Sequence, residues 1–371
     1  MVEQLSVSHA DRTTLPAGTS ETTTPVLDVR HLTKVFPIGG LFSRAGVHAL
    51  QDVSFTIDAG QIVALVGESG SGKSTTARLI ARLVKPTSGE LLLDGTDVLK
   101  SQPRPTMEYR RRVQMIFQDP FGSLNPVHTI GHHLARPLQI HGKVRSGRDL
   151  RERIHALLDQ VGLNPPAEVA AKFPHQLSGG QRQRVAFARA LAVDPLVLLA
   201  DEPISMLDVS IRMGILNLMD RLKDERRIAS LYITHDIASA RYIADNTVVM
   251  YAGRMVEGAE SVELIDRPAH PYTKLLLSAV PNPKAGLKVT RTEARGEIPS
   301  LINPRPGCPF ADRCPSVMPV CREQMPGFER LGDQHWVRCH LYGAGSEDHA
   351  LAAMRPLTLY KPKTNRDVAA D

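Results

Sequence analysis

Apolar residues along the chain from residue 26 to about residue 260 fall into two periods, separated by short turn-forming stretches. Val26, Leu27, Val29 and Leu32, then Val53, Phe55 and Ile57, follow the spacing of half-buried strands. Ile62 to Val66 and Leu196 to Ala200 are continuous instead, and Val113 to Phe117 and Leu231 to Thr234 nearly so, the pattern of strands buried on both faces of a parallel sheet. Leu91 to Leu93 before the Asp94-Gly95 turn adds a short strand. Ala77, Ile80, Ala81 and Val84 recur at helical spacing. From Gln118-Asp119-Pro120 to about Asp194 the pattern turns mostly helical, with Leu150, Ile154, Leu157, Leu158 and Val161 on one face. An α/β domain carrying an inserted helical subdomain, about 119–194, is therefore expected. Residues 1–25, rich in Ser, Thr and acidic groups, are expected to form a flexible arm and not a signal peptide, and Ile38 to Gly46 a surface loop.

Chemistry enters at Gly67-Glu68-Ser69-Gly70-Ser71-Gly72-Lys73-Ser74-Thr75, which fits G-x-x-x-x-G-K-[ST] between an expected strand and an expected helix. Glycines let backbone N–H groups approach anionic oxygens, and the helix start adds its positive end. Lys73 is expected to reach the β- and γ-phosphates of a nucleotide, and Ser74 to place its hydroxyl on Mg²⁺. Leu177-Ser178-Gly179-Gly180-Gln181 opens a second helix, with Val185, Ala188, Leu191 and Ala192 at helical spacing, and forms a second anion site. Asp201-Glu202-Pro203 ends a buried strand, at the sheet edge where ligands bind in such folds. Asp201 is placed to hold Mg²⁺ through water, and Glu202, one residue on, to act as general base. His235, after the strand Leu231 to Thr234, is expected to sense the γ-phosphate.

Composition narrows this little. The chain has 371 residues, a formal net charge of +6, 42% hydrophobic and 23% charged residues, an ordinary globular profile. No apolar run reaches bilayer-spanning length, so a membrane role would pass through a partner. Among the basic residues Lys143, Arg145, Arg148, Arg151 and Arg153, Asp149 and Glu152 intervene without aromatics, which argues for a solvated face over a nucleic-acid patch. His132-His133 lacks a second pair at metal spacing.

On these motifs the sequence resembles the ATP-binding subunit of an ABC transporter from about Val26 to Tyr342. The resemblance implies a P-loop NTPase cassette: a mixed-sheet core, an antiparallel β subdomain, the inserted helical subdomain, and a small Cys-containing extension. It implies a head-to-tail dimer with each ATP between one phosphate loop and the other subunit's Ser178 to Gln181. It further implies that Gln118 senses the γ-phosphate and Mg²⁺, that Asp208 of Ser205-Met206-Leu207-Asp208 links the two sites, and that Phe36 stacks on adenine. Arg267-Pro-Ala-His-Pro-Tyr-Thr273 resembles the extension of importers of the peptide, nickel and oligosaccharide type. The domains expected are thus 26–265 for the ATPase, 266–345 for the extension and 346–371 for a tail. Partners implied are a second ATPase subunit, two permeases at the cytoplasmic membrane face and, indirectly, a substrate-binding protein. Peptide cargo is expected; oligosaccharide cargo, or a soluble non-transport ATPase, is the alternative.

All four cysteines, Cys308, Cys314, Cys321 and Cys339, lie in the extension, without the C-x2-C knuckles usual in zinc ribbons. Free thiols and a zinc site stay open; the resemblance implies an iron–sulfur cluster of four irons and four sulfides. In either case the cysteine site is expected to be structural and, far in sequence from the phosphate loop, to take no part in hydrolysis.

Overall fold

The structure, a computed structural model, describes residues 24–39, 45–102, 104–119, 122–279 and 299–343. The expectations for the arm before residue 24, the loop centre and the tail lie outside them. Among the described residues twelve strands form two sheets. In the first, β1 (Leu27–Pro37), β2 (Gly46–Ile57), β4 (Ser88–Leu93) and β5 (Thr96–Asp97) pair antiparallel in the order β2-β1-β4-β5. Asp94 and Gly95 both take positive φ between β4 and β5, the twist a two-residue hairpin turn requires.

The second sheet holds β3 (Ile62–Val66), β6 (Val113–Ile116), β7 (Val197–Asp201), β8 (Ala229–Thr234), β9 (Asn246–Tyr251), β10 (Arg254–Glu260), β11 (Glu329–Arg330) and β12 (Trp336–Val337), in the order β11-β12-β10-β9-β3-β8-β7-β6. From β9 to β6 the pairing is parallel. Alternation explains the continuous apolar runs: Ile62, Ala64 and Val66 enter one core, Val63 and Leu65 the other. Likewise Leu198, Ala200 and Tyr232 face the first core while Leu199, Leu231 and Ile233 face the second.

Helix α1 (Lys73–Ile80) and the antiparallel sheet close the second core, with the short α2 (Val98–Ser101) and α3 (Met107–Arg112) at its margin. The inserted region is α4 (Ile130–Ile140), α5 (Gly147–Gln160), α6 (Pro166–Ala171) and α7 (Gly179–Leu191), which meet one another around Leu134, Leu138, Leu157, Leu158 and Phe187. On α5, Arg148 pairs with Glu152 at 2.8 Å and Arg153 with Asp149 at 3.6 Å, on a mostly exposed face. Helices α8 (Val209–Arg226), α9 (Ile237–Ile243), α10 (Ser261–Asp266) and α11 (Pro271–Ser278) follow.

The extension is no appendage. Besides α12 (Pro319–Glu323), it supplies β12, whose Val337 and Trp336 pair with Glu257 and Gly258 of β10, so the main sheet continues into it. Tyr272 and Phe310 are fully buried in the first core, each packed against Tyr251 of β9. Beneath this seam Glu257, wholly buried, accepts backbone N–H bonds from Ala269 and His270 and a ring contact from His335 at 2.8 Å.

Candidate functional site

The phosphate loop turns between β3 and α1. Gly67 lies so close to β9 that a Cβ there would stand 2.2 Å from the carbonyl of Met250. Gly72 takes φ 104° at the helix start, where a side chain would be strained. Within the turn Lys73 is buried, its Nζ donating to the carbonyls of Gly67 (2.7 Å) and Glu68 (2.8 Å). Burial lowers its pKa, against the raising pull of Glu202, Asp201 and Glu68. A desolvated ammonium among acceptors is suited to anionic phosphate oxygens.

Asp201 ends β7 opposite α1 and accepts the Ser74 hydroxyl at 2.8 Å. Burial holds its pKa above the ordinary value, the Ser74 hydrogen bond opposing. A hydroxyl beside a buried carboxylate is an oxygen donor set that fits Mg²⁺. The next residue diverges. The Glu202 carboxylate accepts from Gln118 Nε2 at 2.9 Å and lies 3.4 Å from His235 Nδ1. Strands β6, β7 and β8 are parallel, so their C-terminal ends present Gln118, Glu202 and His235 side by side. Glu202 takes φ 46°, and its N–H bonds the carbonyl of Ile233 on β8.

The helical region presents another prepared turn. Ser178 caps α7: its hydroxyl accepts from Gln181 N–H at 3.3 Å, and the Gln181 side chain accepts from Ser178 N–H at 3.0 Å. Ser178 itself is exposed. Gly179 opens the helix, and a Cβ at Gly180 would clash with Ile211 of α8 at 2.5 Å. Asp208 stands exposed at the start of α8. Phe36, near the end of β1, is 38% exposed, with the Lys34 ammonium 4.7 Å from its ring centre. The fold thus gathers Lys73, Ser74, Asp201, Glu202, Gln118 and His235 at one end of the parallel strands, and holds Ser178 to Gln181 on the helical insertion and Phe36 on the antiparallel sheet.

The cysteines are reduced and share one module. Cys308 N–H donates to the carbonyl of Cys321 at 2.7 Å. Burial pushes the Cys308 thiol up to about 12, and the other three cysteines, close enough for their charges to act on it, add to the rise. Among the described residues no three His, Cys, Asp or Glu side chains are gathered to hold a metal ion.

Sequence reasoning missed how this module meets the phosphate loop. Arg313, in the turn Ala311–Arg313 between Cys308 and Cys314, grips the Glu68 carboxylate with two N–H bonds of 2.7 and 2.9 Å. The hydroxyl of Tyr272 accepts the Glu68 backbone N–H at 2.8 Å. These contacts bring the extension, distant in sequence, directly against the phosphate loop. Tyr272 belongs to a segment the sequence singles out, but nothing in it points to residue 68.

Two family models match: ABC transporter over residues 50–205, and oligopeptide/dipeptide transporter, C-terminal region, over residues 256–321. The oligopeptide transport ATP-binding protein AppF of Bacillus subtilis is 44% identical over 323 residues, 85% of this chain and 97% of its own. The dipeptide transport ATP-binding protein DppF of Haemophilus influenzae is 43% identical over 318 residues, 85% and 96% of the two chains. A solved dimeric ATP-binding cassette, MJ0796 bound to ADP and Pi, superposes with a TM-score of 0.56 at 32% identity, covering 63% of this chain and 98% of that one.

Proposed function

This chain belongs to the family of ABC transporter ATP-binding proteins, in its oligopeptide and dipeptide branch, and from that premise we propose that it hydrolyses ATP to drive peptide import. The observation that carries the proposal is the convergence of buried Lys73, the Ser74–Asp201 pair and the Gln118–Glu202–His235 group at one sheet edge.

Each residue then has a role its surroundings permit. Lys73 trades loop carbonyls for β- and γ-phosphate oxygens. Ser74 and Asp201 hold Mg²⁺, which when bound neutralises charge developing on the phosphate oxygens. Glu202 takes a proton from the attacking water, Gln118 and His235 fixing the carboxylate and addressing the γ-phosphate. The N–H groups of residues 67–75 cradle the phosphates from one subunit, and Ser178 to Gln181 of a second cassette close over them. The dimeric relative bound to ADP and Pi supports that arrangement. Asp208, exposed at the start of α8, would link the two sites, and the half-exposed ring of Phe36 would stack on adenine.

Among the described residues no helix is long and apolar enough to cross a membrane; as an importer's ATP-binding subunit the chain would sit on permease subunits at the cytoplasmic membrane face. For the cysteines we retain the iron–sulfur cluster as a proposal. Its support is that all four cysteines lie in one short extension, with Cys308 N–H bonded to the carbonyl of Cys321. Anaerobic purification should give iron and acid-labile sulfide; an iron-free chain with four titratable thiols would remove the cluster.

The test of the main reading is MgATP hydrolysis by this chain assembled with its permeases in vesicles, accompanied by peptide uptake. Hydrolysis without uptake of any peptide would leave an ATPase and refute the importer.

A further inference from the structure

Glu68 is held on three sides. Its carboxylate is forked by Arg313, its N–H bonds the Tyr272 hydroxyl, and its carbonyl receives the Lys73 ammonium. Two of these partners belong to the extension and the third is the residue assigned to the phosphates. The Arg313 side chain is only 7% exposed, so the pair is largely shielded from solvent. Its guanidinium also donates to Tyr251 Oη at 3.2 Å and lies 5.7 and 5.8 Å from the ring centres of Tyr251 and Phe310. The aromatic cluster locks the fork, the fork locks Glu68, and Glu68 sets one of the carbonyls that aim Lys73. Such a chain has the form of a support for a binding constellation, in which a misplacement of about 1 Å is felt at the chemistry.

We propose that Arg313 is a positioning residue for the nucleotide site: through Glu68 it sets the phosphate loop in its binding geometry, so the cysteine-bearing extension takes part in ATP affinity. The proposal rests on the ATPase reading above, and wild-type hydrolysis tests that reading separately.

The experiment uses the full chain with Arg313→Met, Glu68→Gln and the double variant. It measures binding of a fluorescent ATP analogue by the purified chain, and kcat and KM for MgATP in the assembled transporter. Each single variant should weaken analogue binding and raise KM by roughly 10-fold, with kcat changed far less. The double variant should be no worse than the weaker single one, because both break one link. Thermal midpoints should remain close to wild type in any variant used for the comparison. Should Arg313→Met not fold, Arg313→Lys, which keeps the charge but loses the fork, carries the same comparison and should show the same direction. Unchanged affinity in the folded Arg313 variant overturns the proposal, as do losses that multiply in the double variant. A wild-type chain that hydrolyses no ATP would instead overturn the function on which it stands.

Discussion

Glu202 occupies a backbone region that side chains other than glycine rarely enter, with φ at 46°, and it is kept there by the bond from its N–H to β8. The twist after Asp201 sends one carboxylate to Ser74 and the next to Gln118 and His235, giving neighbouring acids two different surroundings. Glu202→Gln keeps size and polarity but removes the base. ATP binding should persist while turnover falls by roughly 10²- to 10⁴-fold; turnover at the wild-type rate would move the base elsewhere. Asp201, Glu202 and His235 were legible because each follows an apolar run whose end can be counted. Arg313 was not, since a lone arginine between two cysteines carries no local signal of a partner 245 residues away.

Among the elements, α7 comes prepared: its capping box satisfies the first turn internally and leaves Ser178 exposed. Ser178→Arg should leave nucleotide binding by the isolated chain unchanged and abolish ATP-driven dimer closure, read by size-exclusion of the Glu202→Gln background. Loss of binding by the monomer would contradict a site shared between cassettes. Strand β12 is held differently, by the buried pair of His335 and Glu257. Burial opposes charge on His335, but the hydrogen bond to Glu257 and the charges of Glu257 and Glu263 outweigh it, so its pKa is raised above 6.5. The protonated form is the one the fold prefers. Its contribution is therefore full below the unfolded value and fades as pH climbs through the folded one. Nearby His270 works oppositely, burial taking it to about 4, so it favours neutrality as pH falls below 6.5. The difference in urea stability between wild type and His335→Gln isolates the first effect. It should be largest below the unfolded histidine value of about 6.5 and shrink as pH rises above it; a difference independent of pH would deny the ion pair. The long strands were readable from their alternation, whereas β11 and β12, two residues each, are too short to show a period.

At the scale of the molecule, two cores on opposite faces of one sheet account for most of the elements, and the extension joins the first through Tyr272 and Phe310. Phe310→Ala should cost about 3–5 kcal/mol in urea unfolding, a change within 1 kcal/mol marking the extension as separately folded. The hydrophobic pattern foretold an α/β chain and its motifs an ATP site. The docking of the extension was hidden, because it depends on pairings between distant segments that no local pattern encodes.

That docking also sets a timetable. Synthesis at about 5–20 residues per second puts roughly 10 to 50 s between the emergence of Glu68 and that of Arg313. By the end of that interval the nascent chain bears Lys73, Ser178 and Glu202, yet its phosphate loop still lacks the fork that Arg313 makes on Glu68. A product abandoned before residue 313 would carry those ATP-site residues and bind nucleotide poorly, and so would compete weakly with finished subunits for ATP.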